Sequence, residues 1–450
     1  MDLTHYPGED LYSEGEIEDR LLKVAEENDP ADFRKIVETS GEWAYLYHLS
    51  KERQNIVSWL PVKKDEKVLE VGAGMGAITG ELCKLAKSVD AVDLSLKRSK
   101  INANRNKCYD NLSINVGNFT EIEKDLGCDY DWIMLIGVFE YAISYMGTDD
   151  PFRDFLKILK KHLKENGRIV IAIENRLGLK YFAGCKEDHT CGFFDGLENY
   201  VNGGQVRTFS KQALEKIIKS VDITDYHFYY PYPDYKLPNT VFSDKRLPSY
   251  GELRDNIRNF DQDRLVLFDE KNAYDSLIED GLFPVFSNSF EVIIGPDVDV
   301  DYAKYSMERD DKLCVMTKII SDGTKKSVVK SAVYESAKEH IAKIKKACDE
   351  LNVRYTVSDL KINNILNYDE AKGEIEFEFV EGKTLEEIFD ECVRKNDKEE
   401  FLKYFNKYKE YAYHNDDYPV VNDDFIFSNI IINDDGWNVI DYEWVRFTKG

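Results

Sequence analysis

Residues 67–80 read KVLEVGAGMGAITG. Val68, Leu69 and Val71 make a short apolar run, the pattern of a strand buried on both faces. The run breaks into Gly72-Ala73-Gly74-Met75-Gly76, and a helical pattern begins near Ala77. Glycine suits such a turn because the chain must bend sharply and let a ligand approach the backbone. The helix that follows offers unpaired N–H groups at its start. Strand, glycine-rich turn and helix N-terminus together make a cradle for a cofactor.

Two cofactors fit the glycines. Gly72, Gly74 and Ala77 satisfy G-x-G-x-x-[GA], the dinucleotide fingerprint. Glu70, at the C-terminal end of the strand, favours the other reading. A carboxylate there repels a pyrophosphate and attracts an amino-acid ammonium, and S-adenosylmethionine carries an ammonium and no phosphate. The E-V-G-A-G-x-G run resembles motif I of class I S-adenosylmethionine-dependent methyltransferases. The expectation is therefore an S-adenosylmethionine site, with a nicotinamide-dependent dehydrogenase as the alternative.

Composition narrows the rest. The chain has 450 residues, 43% of them hydrophobic, enough for two or three domains with real cores. The net charge of −25 argues against nucleic acid as a partner, since phosphate backbones require basic patches. Eight scattered cysteines form no C-x-x-C and read as reduced cytoplasmic thiols. Cys185, His189 and Cys191 lie close together without matching a zinc spacing. The acidic N-terminus is no signal peptide, and no apolar run is long enough to span a membrane.

Around the glycine turn the pattern alternates. Glu16–Asn28 and Trp43–Leu60 read as amphipathic helices, the second ending at Pro61 and bringing Arg53 and Asn55 towards the cofactor. A helix over 77–87 leads to a strand at 89–92 that ends in Asp93, 21 residues beyond Gly72, where an acid can accept bonds from ribose hydroxyls. Further strands at 113–116, 131–136 and 168–173 alternate with helices at 95–106 and 152–163. This alternation implies parallel βαβ units in a doubly wound sheet, with ligands at the strands' C-terminal ends. Glu70, Asp93, Asn118 and Phe139 all fall at such ends. The connection 174–205 is long and rich in glycine and aromatics, with Glu187-Asp188-His189 at its centre, and such insertions are usually functional. A helix over 208–220, an aromatic strand within 226–241 broken by prolines, and a strand over 285–294 complete this part.

The methyltransferase resemblance extends these readings. It implies S-adenosylmethionine at Arg53, Glu70, Gly72, Ala73, Gly74, Gly76, Asp93, Leu94, Asn118, Phe119, Gly137 and Phe139, with the ribose on Asp93 and adenine against Asn118 and Phe119. The sulfonium already activates the methyl group, so no metal is expected for methyl transfer. YSEGEIEDRLL, HLSKERQNI, IENRLGLKYFAG, YYPYPDYKLP and FSNSFEVII resemble methyltransferases of bacterial surface-polysaccharide biosynthesis, over most of residues 1–297. That resemblance implies a sugar or sugar-phosphate oxygen as acceptor, on a glycan or its lipid-linked precursor, in company with glycosyltransferases; the aromatics of the insertion and of 226–235 then read as faces that stack on sugar rings, with core packing as the alternative. The expected setting is the cytoplasm, with peripheral association with the inner face of the membrane as the variant of that expectation. An oxygen acceptor needs a base; His189 is the candidate, with Glu187 and Asp188 beside it.

Beyond residue 300 the pattern changes to short strands, with Lys330 on one and a helix over 335–351 after it. VVNDDFIFSNIIINDDGWNVIDYEW contains D-x4-N at Asp424 and Asn429, then a hairpin leading to Asp441. This resembles the catalytic end of aminoglycoside and lipopolysaccharide kinase-like phosphotransferases. The resemblance implies Asp424 at an acceptor hydroxyl, Asn429 and Asp441 on magnesium, Lys330 on the phosphates of ATP, Glu339 as the helix partner of Lys330, and 379–382 as a hinge. Asn422 replaces the usual His, no glycine-rich loop precedes Lys330, and the sequence ends soon after Asp441. The expectation is magnesium-nucleotide binding without turnover. The fold expected is α/β: a doubly wound Rossmann-like methyltransferase sheet over 1–297 (helices 16–60, core 61–297), and a smaller α+β kinase-like domain over 298–450. A methyltransferase joined to such a domain resembles the bifunctional O-antigen chain terminators.

Overall fold

The computed structural model describes residues 1–10, 12–254, 264–323 and 325–447. The chain divides into two units, Met1–Tyr302 and Ala303–Gly450.

The first unit is built on strands β1 (Lys67–Val71), β2 (Ser88–Asp93), β3 (Leu112–Val116), β4 (Tyr130–Ile136), β5 (Leu163–Glu174), β6 (Tyr226–Tyr232), β7 (Thr240–Ser243) and β8 (Ser289–Ile294). Their order is β7-β6-β8-β5-β4-β1-β2-β3. β1 to β5 are mutually parallel, and β8 runs antiparallel between β5 and β6. Chain order reverses between β1 and β4, so the glycine turn after β1 sits at the switch point where open α/β sheets bind ligands. Val68, Leu69, Glu70 and Val71 are all buried, as expected of a central parallel strand covered on both faces.

Helices cover both faces. On one, Phe155, Leu156 and Leu159 of helix Pro151–His162 and Leu214 and Ile218 of helix Lys211–Lys219 join Leu69, Ile133, Ile169 and Ile171 in one core. On the other, Leu21, Ala25, Leu49, Met75 and Ile101 pack together. Ser95 and Ser210 accept bonds from Arg98 N and Ala213 N as N-caps of their helices.

Two sequence expectations need correction. The helix expected over 43–60 is interrupted: Trp43–Leu49 is α-helical, Ser50 is extended, and Lys51–Ile56 is a 3-10 segment. The break turns Arg53 and Asn55 inward, where they donate to the carbonyls of Lys236 (2.7 Å) and Pro238 (2.8 Å). Secondly, the aromatics of β6 serve packing. Phe228, Tyr230 and Tyr232 are buried in the sheet core against Phe242, Tyr274, Phe283 and Phe290, where their large apolar surfaces stabilise the fold.

In the second unit, strands Val315–Ser321, Lys326–Ala332, Glu374–Glu378 and Ile365–Asp369 lie side by side in that order, each antiparallel to the next. Helix Lys338–Arg354 packs Ile341, Ile344 and Leu351 on Val315, Ile375 and Phe377. A smaller sheet pairs the hairpin Ile430–Asn433 and Gly436–Val439 with Lys361–Ile362 and Lys383–Thr384. Thr384 and Glu387 form a capping box that starts helix Leu385–Arg394.

Candidate active site

A cavity of about 560 Å³ opens at the C-terminal ends of β1, β2, β4 and β5. Gly72, Ala73 and Gly74 form its floor, and Asp93, Leu94, Asn118, Phe119, Gly137 and Arg53 also line it. Gly72 has φ +72°, and a Cβ there would lie 2.4 Å from Val138 Cγ2; only glycine allows that approach. The Asp93 carboxylate accepts from Gly74 N (2.7 Å) and Ser95 N (2.9 Å). It thus fixes the turn and still faces the cavity. Burial raises its pKa, partly offset by Arg98. Asn118 caps a short helix through Thr120 N (3.1 Å), and Phe119 packs edge-on to Phe155. The Arg53 guanidinium lies 4.4 Å from the Tyr47 ring centroid, and its buried Nε has no hydrogen-bond partner. The volume suits a nucleoside-sized ligand. A buried acid for hydroxyls, an amide and a ring for a base, and an available guanidinium N–H for a carboxylate fit S-adenosylmethionine.

Three residues expected at the cofactor lie elsewhere. Glu70 is buried behind the turn and accepts from Thr79 Oγ1 at 2.7 Å, within a polar cluster that continues through Asn102 and Asn106. Burial pushes its pKa up to about 8, with the Thr79 bond opposing. Glu70 is thus not placed to attract the ammonium of a ligand in the cavity, contrary to what its position in sequence implies, because its side chain is held by Thr79 outside the cavity lining. Gly76 faces the same cluster: a Cβ there would meet Asn102 Oδ1 at 2.3 Å. Phe139 is fully buried against Phe152, Phe155 and Phe209.

The other end of the cavity is polar. Glu140, Tyr141, Glu174, Asp188, His189, Tyr235 and Lys236 line it. Glu174 ends β5, where its Oε1 meets Tyr235 Oη and Lys236 Nζ, both at 3.2 Å. His189 Nε2 lies 3.6 Å from Glu174 Oε2, and His189 Nδ1 lies 3.3 Å from Tyr141 Oη. Burial lowers the His189 pKa, but Glu174 outweighs it, with help from Glu140 and Glu187, and raises the value to about 9. His189 is therefore cationic at neutral pH in this arrangement, which corrects its expected role as a free base. Asp188 is held by Lys180 (2.9 Å), Lys236 and Tyr181. Glu187 is structural: it accepts from His189 N, Thr190 N and Tyr200 Oη and so folds the insertion. Glu174 and Lys236 escaped the sequence reading, and Glu140 and Tyr141 were legible there only as part of the turn that closes β4. The available signal was the one that found Asp93: Glu174 is an acid at the end of a parallel strand, and Glu140 follows the end of β4.

In the second unit, Lys330, Asp424, Asn429 and Asp441 converge. Lys330 Nζ donates to Asp441 Oδ1 at 2.8 Å and to Glu443. Burial opposes its charge, but these carboxylates raise its pKa. Asn429 Nδ2 donates to the carbonyls of Asp424 (3.1 Å) and Asp441 (3.3 Å), and Asp424 accepts from Trp444 N. Glu339 stands outside this group: it is exposed and pairs with Lys343. The acid beside Lys330 is Glu443, which also contacts Arg309 and His340.

Sheet order, reversed β8, glycine turn and a terminal Asp on β2 define the first unit as an α/β domain of the class I methyltransferase kind. Residues 69–169 match the family model described as "Methyltransferase domain". The first half of the chain thus carries an S-adenosylmethionine-dependent methyltransferase domain, and S-adenosyl-L-methionine is its cofactor. The chain is 25% identical over 221 residues to ribosomal RNA small subunit methyltransferase A of Borreliella burgdorferi, covering 48% of this chain and 66% of that one. It is 33% identical over 119 residues to phosphoethanolamine N-methyltransferase 1 of Zea mays, covering 26% and 23%. A solved S-adenosylmethionine-dependent methyltransferase from Archaeoglobus fulgidus aligns with 57% of this chain and 100% of its own, at 17% identity and a TM-score of 0.35.

Proposed function

We propose that the first unit transfers a methyl group from S-adenosylmethionine to an oxygen of a saccharide or saccharide phosphate during surface-polysaccharide assembly. The observation that carries this reading is one cavity with two chemically different ends. Gly72 and Asp93 mark the cofactor end, and Glu140, Tyr141, Glu174, His189 and Lys236 mark the other. A hydroxyl-rich acceptor finds both donors and acceptors there. Trp43, stacked on Tyr47 with centroids 5.7 Å apart, lines the same cavity, and its ring is the one aromatic of this pair not also covered by Arg53, which suits it to a sugar ring. The polysaccharide class comes from the sequence resemblance. The net charge of −25 counts against an RNA acceptor such as the Borreliella relative's name indicates. The match to the maize enzyme spans too little of it to transfer its acceptor.

The bound cofactor supplies an already activated methyl group. The chain's own residues then hold donor and acceptor in line and keep water out. The test is incubation of the full chain with methyl-labelled S-adenosylmethionine and three acceptor pools: lipid-linked saccharides, ribosomal RNA and phosphoethanolamine. Label in the saccharide pool is expected; label only in RNA or phosphoethanolamine would overturn the reading.

For the second unit, the convergence of Lys330, Asp424, Asn429 and Asp441 favours binding of a magnesium nucleotide. In the bifunctional enzymes that this pairing resembles, a kinase creates the phosphate oxygen that methylation caps; for this second unit the reading is nucleotide binding without turnover.

A further inference from the structure

We propose that Glu140, Glu174 and His189 bind a divalent cation of the Mn²⁺ class at the acceptor end of the methyltransferase cavity. Each residue offers one ligand atom, and the three atoms lie within 4.8 Å of one another. A cation with bonds of about 2.1 Å would bridge them with small side-chain movements. The second observation is that the free atoms are the ones a cation would use. Both carboxylate oxygens of Glu140, only 1% exposed, lack a hydrogen-bond partner, as do buried Glu174 Oε2 and His189 Nε2. Leaving a buried carboxylate without a hydrogen-bond partner is costly; His189 Nε2, 3.6 Å from Glu174 Oε2, is too far for a hydrogen bond, and a divalent cation between the three side chains would give all of these atoms a partner.

The outer atoms are already held. Glu174 Oε1 is fixed by Tyr235 Oη and Lys236 Nζ, and His189 Nδ1 by Tyr141 Oη. This is the pattern of metal ligands oriented by supporting hydrogen bonds, with Nδ1 engaged by Tyr141 and Nε2 turned towards the two glutamates. Two carboxylates and one imidazole suit a first-row cation between the hard and borderline types, which favours Mn²⁺ over Ca²⁺ or a thiolate-seeking metal. Three protein ligands leave further positions open, and the site lines the cavity. An acceptor oxygen entering there can complete the coordination sphere. That last step rests on the oxygen-acceptor reading above; cation binding itself does not.

The experiment is Mn²⁺ titration of the full chain, read by loss of the free-ion paramagnetic resonance signal and by nitrogen modulation from a coordinated imidazole. One equivalent with nitrogen modulation is expected. Glu140→Gln, nearly isosteric, should weaken binding at least tenfold, and His189→Gln should remove the nitrogen modulation. Asp441→Asn should leave both features intact, which separates this site from magnesium in the second unit. Circular dichroism and S-adenosylhomocysteine binding check that the variants fold. Absence of binding to the folded wild-type chain, or binding and modulation that persist in both Glu140→Gln and His189→Gln, would overturn the proposal. Either result leaves the labelled-acceptor experiment free to decide the methyltransferase reading separately.

Discussion

Asp93 does two jobs with one carboxylate. It accepts from Gly74 N and Ser95 N, and it lines the cofactor cavity. Asp93→Ala should weaken S-adenosylmethionine binding by roughly 1–3 kcal/mol, the range for losing hydrogen bonds to a charged group. Isothermal calorimetry would show it, and unchanged affinity would remove Asp93 from the site. Glu70 supplies the contrasting case. Its folded-state pKa of about 8 lies above the unfolded value of about 4.3. Below about pH 4.3 both states are protonated and Glu70 contributes no penalty. As pH rises towards 8 the unfolded chain ionises while the folded one keeps its proton, so stability falls. Relative to Glu70→Gln, the wild type should lose roughly 2–4 kcal/mol between pH 5 and pH 8. Urea unfolding of both proteins at the two pH values measures the difference. Parallel curves would mean that Glu70 is ionised when folded. Asp93 was legible in the sequence because spacing fixes where a strand-end residue sits. The direction of the Glu70 side chain was not, because it depends on Thr79, nine positions away in the next helix.

At the scale of elements, period and punctuation found the parallel strands closely: the run expected at 89–92 is β2, and that at 113–116 is β3. Helix continuity was less legible. Trp43–Leu60 keeps an apolar pattern throughout, yet Ser50 is extended, because inward bonds from Arg53 and Asn55 compensate for the interrupted helix. The aromatic run of β6 looked like a sugar platform because composition does not tell a core face from a cavity face. Only the packing partners do, and for Phe228, Tyr230 and Tyr232 these are other aromatics. The glycine turn divides by function in the same way. Gly72 serves the cavity, whereas Gly76, at φ +74° and against Asn102, serves the join between the turn and helix Leu96–Arg105. Gly76→Ala should therefore lower stability by about 1–3 kcal/mol through strain and crowding. It should change S-adenosylhomocysteine affinity less than Asp93→Ala does. Thermal denaturation and calorimetry on the same samples check both parts.

At the scale of the whole molecule, each unit has its own core and its own cluster of ionisable groups, so their ligands can be assigned separately. Lys330 is buried, cationic and bound to Asp441, while Asp441 is side-chain exposed to 42% and therefore open to a second partner. Burial raises the Asp424 pKa, and Asp441 and Glu443 add to the effect while Lys330 opposes it; the three acids outnumber Lys330 and Arg309, the cations paired with them, and a like-charge repulsion remains. On the proposed reading, bound magnesium would relieve that repulsion and the nucleotide would give Lys330 phosphate oxygens to hold, in the manner of phosphoryl-transfer sites. Ligand that binds only the folded state raises its stability. ATP with magnesium should therefore shift the unfolding temperature of the full chain, the shift should vanish in Asp441→Ala, and Asp93→Ala should leave it unchanged. S-adenosylhomocysteine should show the reverse dependence. A nucleotide shift that survives Asp441→Ala would place the nucleotide elsewhere and leave the convergence of Lys330, Asp424, Asn429 and Asp441 as a structural ion cluster.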